Sequence, residues 1–184
     1  MSPGAPVAEA LRRRRSQPTV TDAAPRMREL LPLLEAAGSV ADHARLRPWR
    51  IIAIRGRARE RVGAAMAEAA GLQGEAAARL ARKPLRAPLL LAIVVSPKPS
   101  TKVPEWEQEA AAAGVAHALE LVLDEAGWGV MWRTGLQTRS EPVARVHRLA
   151  PGERLLGWLY VGGRERENGR RRGAVDAKDY LTSL

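Results

Sequence analysis

The chain predicts a layered fold of helices and strands, α+β or α/β, in one domain over residues 1–184. Three observations carry this expectation. Short apolar runs with strand character recur along the chain, at Arg50 to Arg55 (RIIAIR), Leu89 to Val95 (LLLAIVV) and Leu155 to Gly163 (LLGWLYVGG). Longer stretches of helical periodicity separate them. Neither a repeat nor a change of composition divides the sequence.

Hydrophobic residues make up 46% and charged residues 27%, a balance that builds a core and does not suit a disordered chain. Aromatic residues are only 4%, with no Phe, so Leu, Val and Ala must fill the interior. The absence of Cys excludes disulfides, thiolate metal sites and a cysteine nucleophile together. No apolar run reaches the ~20 residues of a membrane span. The arginines at 12–15 have no apolar stretch behind them, unlike a secretory signal, so a cytoplasmic protein without membrane attachment is expected. Thirty Lys and Arg against twenty Asp and Glu give +10. That excess suits an anionic ligand or nucleic acid, and equally a codon bias toward Arg and Ala.

Taken in order, residues 1–10 read as a frayed entry. Glu9 to Arg15 reads as the end of a short helix closed by Ser16 and Pro18. Within Arg12 to Arg15, part of the run can fold inward to hold a phosphate, because the planar guanidinium engages two oxygens at once. Residues 25–37 form a helix interrupted by Pro32, with Leu30, Leu33 and Leu34 toward the core. Gly38 to His43 leaves it as a loop, which Ala44 to Pro48 continues. Arg50 to Arg55 is a strand whose continuous apolar centre predicts burial on both faces. Ala58 to Gly71 and Gln73 to Arg82 are helices, the second alanine-rich and polar on one side. Pro84 and Pro88 bracket a break before Leu89 to Val95, the strongest strand signal in the chain. Ser96 to Pro104 is a proline-rich loop.

Trp106 to Ala126 is a long helix with an apolar face at Val115, Ala118, Leu119, Val122 and Ala126. Glu105, Glu107 and Glu109 complement the positive end of its dipole, and Gly127 stops it. Gly114 inside it costs roughly 1 kcal/mol relative to Ala, which close packing at a seam or in the core would explain. Gly129 to Trp132 is a short buried strand presenting Arg133 and Thr134 at its end. A short helix opens around Thr138 to Pro142 with Ser140 as its cap and runs to Arg148. Arg164 to Gly173 carries five arginines and no apolar face, so a mobile extension is expected, with Leu181 and Leu184 anchoring the end.

Familiar catalytic signatures are missing. There is no phosphate loop, no G-x-S-x-G, and the pair Gly127 and Gly129 follows a helix where a dinucleotide fingerprint would follow a strand. His43, His117 and His147 lack metal-pair spacing, so no metal is expected.

Five short motifs, in order, say more. They are Arg14-Arg15-Ser16 after a short helix; Ala41-Asp42-His43 with Arg47-Pro48-Trp49; Arg86-Ala87-Pro88-Leu89; Lys102-Val103-Pro104-Glu105-Trp106-Glu107-Gln108-Glu109; and Trp132-Arg133-Thr134-Gly135. Together they resemble the nitroreductase family, in its small single-domain bacterial form, over about Leu11 to Gly163. The resemblance implies an α+β fold with a central, mostly antiparallel sheet flanked by helices, working as an intertwined homodimer with FMN at the subunit interface. It implies NADH or NADPH as electron donor and a small nitroaromatic, quinone or similar acceptor. Hydride would pass through the flavin N5, so no side chain is expected to act as catalytic acid or base. Arg14, Arg15 and Ser16 would hold the phosphate and ribityl end from one subunit. His43, Trp132, Arg133 and Thr134 would come from the other, with Ser39 standing where a close relative carries arginine. Arg133 is the candidate donor toward the pyrimidine edge of the flavin, with the ribityl chain as its other possible partner. Two other readings compete: a basic nucleic-acid-binding domain using Arg12 to Arg15 and the arginine-rich tail, and a flavin binder without reductase activity. The tryptophans lie inside apolar runs and not among the basic residues, which disfavours the nucleic-acid platform.

Overall fold

The computed structural model describes residues 6–165 and 175–183. Its core is a four-stranded sheet of β1 (Trp49–Arg55), β2 (Leu89–Val95), β3 (Trp128–Arg133) and β4 (Arg154–Gly163). The order is β1-β2-β4-β3, every neighbouring pair antiparallel. Among the described residues six α-helices surround it: α1 (Pro6–Arg13), α2 (Met27–Ala37), α3 (Arg57–Ala69), α4 (Gly74–Ala81), α5 (Glu105–Glu125) and α6 (Glu141–Val146). The fold is therefore α+β with an antiparallel sheet, as expected.

β2 explains the layering. All seven of its residues are buried, and the two-residue period of a strand sends them to alternate faces. Leu90, Ala92 and Val94 enter a core with Val62 and Met66 of α3, Leu80 of α4 and Val143 of α6. Leu89, Leu91 and Ile93 enter a second core with Leu30 of α2 and Val115, Leu119 and Leu123 of α5. Helices on both faces make each residue of this strand apolar, which is why its sequence reads as an unbroken run.

Several local expectations change. β1 is not buried on both faces: it is an edge strand, its residues half-buried, with Ala53 exposed and Ile54 alone fully enclosed. Its outer flank pairs with no strand among the described residues, so apolar continuity here marks a partly covered edge. Pro32 does not interrupt α2, because it lies on the exposed side where water can satisfy the carbonyl freed one turn earlier. After α2 a 3₁₀ turn, His43–Arg45, carries the loop, with Ala44 at φ 61° and Arg45 at φ 54°. Ser140 precedes α6 but does not cap it; its hydroxyl donates to the Gln137 carbonyl at 2.7 Å, closing a 3₁₀ turn over Leu136–Arg139. Gly114 lies 3.7 Å or more from Val40 at its would-be Cβ, so packing within the chain does not require glycine there.

The ends also differ from expectation. Residues 6–8 are the first turn of α1 and not extended, because Ala10 is buried and anchors the helix. Arg164 is fixed: its guanidinium meets the Asp124 carboxylate at 2.8 Å and the Asp124 carbonyl at 2.7 Å. Leu181 is exposed and anchors nothing among the described residues. The remainder of the arginine-rich stretch, 166–174, and Leu184 lie outside the described residues. No helix of the described residues is long and apolar enough to cross a membrane.

One buried polar pair sets the acid stability. Trp158 Nε1–H donates to His147 Nε2 at 2.9 Å, and His147 Nδ1–H donates to the Val143 carbonyl at 2.8 Å. An indole can only donate and a carbonyl only accept, so the imidazole is held neutral. Burial pushes its pKa down, assisted by the positive charge of Arg50. The unfolded chain then binds a proton near pH 6.5 that the folded chain refuses, so this stabilisation is complete above that pH and is lost as pH falls below it. Glu153, held by Arg50 at about 2, acts in a separate window below its ordinary value of 4.5. Thermal melts from pH 8 to 5 should show Tm flat down to about pH 6.5 and then falling. His147→Gln should flatten the fall over that window.

Candidate functional site

The site is built where the amino-terminal segment meets the β3 edge of the sheet. After α1 the chain passes along β3, with Gln17 N–H donating to the Val130 carbonyl at 2.9 Å and Thr21 N–H to the Gly163 carbonyl at 2.9 Å. Val20 and Thr21 lie directly on Gly162, where an added Cβ would sit 2.6 Å from the Thr21 carbonyl oxygen. The glycine is required by this close approach, and the approach delivers Arg14, Arg15 and Ser16 to the strand edge.

Arg14 faces α5. Its Nη1 lies 3.7 Å from the Glu120 carboxylate, too far for a hydrogen bond, and both side chains are largely buried. Glu120 also approaches His117 Nδ1 at 3.4 Å, and the His117 ring packs edge-on against Trp132 at 4.9 Å between centroids. A continuous path therefore joins Arg14 to Trp132 within one chain. Arg15 turns back, donating to the carbonyls at the end of α1, while the Ser16 side chain is exposed. Nearby, burial pushes the Asp124 carboxyl up, opposed by Arg164, Arg14 and Arg13.

At the end of β3, Arg133 lies over the Tyr160 ring at 5.2 Å, a cation–π contact, and Thr134 is exposed at the strand terminus. Gly157 of β4 shapes this corner. It sits at φ 148° beside a bulge in the β2–β4 register. An added Cβ there would stand 2.5 Å from the Arg133 carbonyl oxygen and 2.7 Å from Trp132 Nε1.

Three of these residues carry unmet hydrogen-bonding capacity. Arg14 Nη1, Trp132 Nε1 and Arg133 Nε are buried with no partner among the described residues; the fourth such atom is Nε of Arg164. Buried donors are ordinarily satisfied, so a group of them at one strand edge is the arrangement of a site made for acceptor atoms.

Ser39 and His43 lie elsewhere. Ser39 donates to the Glu35 carbonyl at 3.3 Å, and His43 Nδ1 meets Glu107 at 2.8 Å in the first turn of α5. Glu120 lies thirteen residues further along that helix, about 20 Å at 1.5 Å per residue. Arg14 to Ser16 and Trp132 to Thr134 are thus brought together in one chain, while Ser39 and His43 are apart from them. Within the single chain, His43 therefore lies apart from Trp132, with which the expected division grouped it.

A cavity of about 720 Å³ opens on the other side of the β3 end, within the range of small-ligand sites. Met131, Trp132, Arg133 and Thr134 line it with Trp158 and Tyr160 of β4 and with Arg79, Lys83 and Arg86 around α4. Burial raises the Tyr160 phenol to about 12 against the opposing charges of Arg133 and Arg86. Arg79, Lys83, Tyr160, Gly157 and Glu120 escaped the sequence reading. Arg79 lies on α4, Lys83 and Arg86 in the 3₁₀ turn that follows it, and none of them stands out in the sequence from the other basic residues.

Comparison with known proteins gives a consistent picture. A family model described as the nitroreductase family matches residues 11–163. The Escherichia coli (strain K12) protein provisionally named NAD(P)H nitroreductase YdjA is 32% identical over 157 residues, 84% of this chain and 86% of that protein. Among solved structures, a nitroreductase-like family protein from Bacillus cereus superimposes with a TM-score of 0.84 at 21% identity, covering 100% of this chain and 98% of its own. A nitroreductase with bound FMN from Bacteroides fragilis gives 0.77 at 16% identity, covering 98% and 100%. At those identities the two structures speak for the fold.

Gly157→Ala should lower stability by about 2 kcal/mol or more, because the methyl group must displace backbone at a φ that side chains avoid. Urea unfolding followed by tryptophan fluorescence measures it, and a neutral effect would contradict the packing described for Trp132.

Proposed function

The chain belongs to the nitroreductase family of oxidoreductases, and from that premise we propose that it is an FMN-dependent NAD(P)H oxidoreductase acting on a nitroaromatic, quinone or similar small acceptor. The observation that carries the cofactor reading is the set of unpartnered buried donors, Arg14 Nη1, Trp132 Nε1 and Arg133 Nε, along one strand edge. FMN offers matching acceptors in its phosphate, ribityl hydroxyls and pyrimidine carbonyls. Bound there, it would supply the hydride-transferring centre at N5.

The residues of this chain then have distinct tasks. Arg14 gives charge and a planar fork to an anionic group, with the Glu120 carboxylate 3.7 Å away leaving Nη1 free to donate. Ser16 and Thr134 add exposed hydroxyls on either side. Arg133, held by the Tyr160 ring, keeps a positive charge beside the strand end without a carboxylate to neutralise it among the described residues. Trp132 supplies a flat wall and one N–H. Arg15 supports the end of α1, a role that places it behind the anion contact.

His43 and Ser39 serve the same cofactor only if they come from a second copy, since within one chain they lie at the far end of α5. We therefore take the protein to be a homodimer of single-domain subunits, with Arg14, Arg15, Ser16, Trp132, Arg133 and Thr134 from one and Ser39 and His43 from its partner. An open depression of about 710 Å³ beside His43, bounded by Trp106, Ala110, Ala111 and Gly114, is an apolar shelf suited to such an interface. Trp106 is 70% exposed there in the single chain.

The protein as purified should absorb in the visible bands of oxidised flavin, or do so after incubation with FMN and removal of the excess. Arg14→Lys and Arg133→Lys should each weaken FMN binding about tenfold, the loss of a charge-assisted fork with the charge retained. A colourless protein that takes up no FMN overturns the reading. Bound flavin with no oxidation of NADH or NADPH would leave a flavin binder and overturn the reductase assignment.

A further inference from the structure

We propose that Arg79, Lys83 and Arg86 form an anion-binding end of the cavity beside Thr134, so that the acceptor is a planar molecule carrying a carboxylate, sulfonate or similar acidic group. The proposal rests on the reductase reading above and adds the class of substrate. Its basis is the composition of the cavity wall. The rings of Trp132, Trp158 and Tyr160 line it together with the three cations, and no carboxylate of the described residues does.

Some arginines elsewhere are matched: Arg50 with Glu153, Arg139 with Glu109, Arg145 with Glu68 and Glu141, Arg154 with Glu105, and Arg164 with Asp124. Others such as Arg28, Arg57 and Arg61 stand singly on the surface. What sets this group apart is that its three cations share one ring-lined cavity. No ion pair among the described residues engages Arg79, Lys83 or Arg86. Like charges gathered around one cavity repel one another, and an anion entering it relieves that repulsion. Arg86 and Arg133 both act on the Tyr160 phenol, so the positive field reaches inward from the rim to the ring wall. A flat anion of moderate size satisfies both features of the wall, ring contact and negative charge.

The test compares 4-nitrobenzoate with its neutral isostere 4-nitrobenzamide, in wild type and in the triple variant Arg79→Gln, Lys83→Gln, Arg86→Gln. All three positions are exposed, so the variant should fold. Wild type should favour the carboxylate roughly tenfold in kcat/KM, and the variant should show a ratio near one. Direct binding of both compounds to the oxidised protein, followed by tryptophan fluorescence without any electron donor, should show the same ratio. That arm decides the proposal even if the protein turns over neither compound. Equal affinity of wild type for the two compounds overturns it. A drop in FMN affinity in the variant as large as the drop for nitrobenzoate also overturns it, by giving the cations to the cofactor. So does loss of an NADPH-over-NADH preference with the nitrobenzoate ratio intact, by giving them to the donor's phosphate.

Discussion

The contact on which the rest depends is the close lie of residues 17–21 on the β3–β4 edge. Two backbone hydrogen bonds and the missing side chain of Gly162 hold that segment against the sheet. Without it, the arginines at 14 and 15 would be a charged run on a mobile arm. With it, Arg14 is carried to α5 and Trp132 and becomes part of a partly buried polar group. The constraint is local, since a Cβ at one position would break it, yet it fixes a juxtaposition between residues more than a hundred positions apart in the chain.

A second constraint works through α5. This helix buries one face beneath the sheet, and its length separates the His43 loop from the Arg14 edge. On the proposed reading a monomer holds two incomplete halves of a binding arrangement, and a twofold pairing would bring one half of each copy to the other half of its partner. The partly covered edge strand β1 and the apolar shelf near Trp106 are features that a single copy leaves unfinished.

What could be read in advance follows the range of the interactions involved. β2 was legible because burial on both faces leaves an unbroken apolar run, and α5 because its length and its glycine stop are local. The buried face of α5 was placed only in part, since Ala112, Ala116 and Leu123 join Val115 and Leu119 in the core while Ala126, expected there, is exposed. β1 carries almost the same apolar signature and misled, since sequence alone does not say whether a strand has one neighbour or two. Ser140 sits at the cap position by type, but its hydroxyl found a nearer carbonyl. The residues of the strand end, Trp132 to Thr134, were recognisable as a motif. Their surroundings were not: Gly157, Tyr160 and Glu120 matter through contacts the chain makes only when folded. Arg79 and Lys83 were hidden for a different reason, because in a chain so rich in basic residues no single one stands out until the fold gathers them around one cavity.

The central claim is that the buried donors at the β3 edge are waiting for a flavin, and the indole N–H of Trp132 reports on it directly. In ¹H–¹⁵N spectra of the uniformly labelled protein, with Trp132→Phe and Trp158→Phe used for assignment, FMN should shift the Trp132 indole resonance downfield as it gains an acceptor. The Trp158 indole, already bonded to His147, should stay in place. An unmoved Trp132 signal in protein that has taken up FMN would contradict the account.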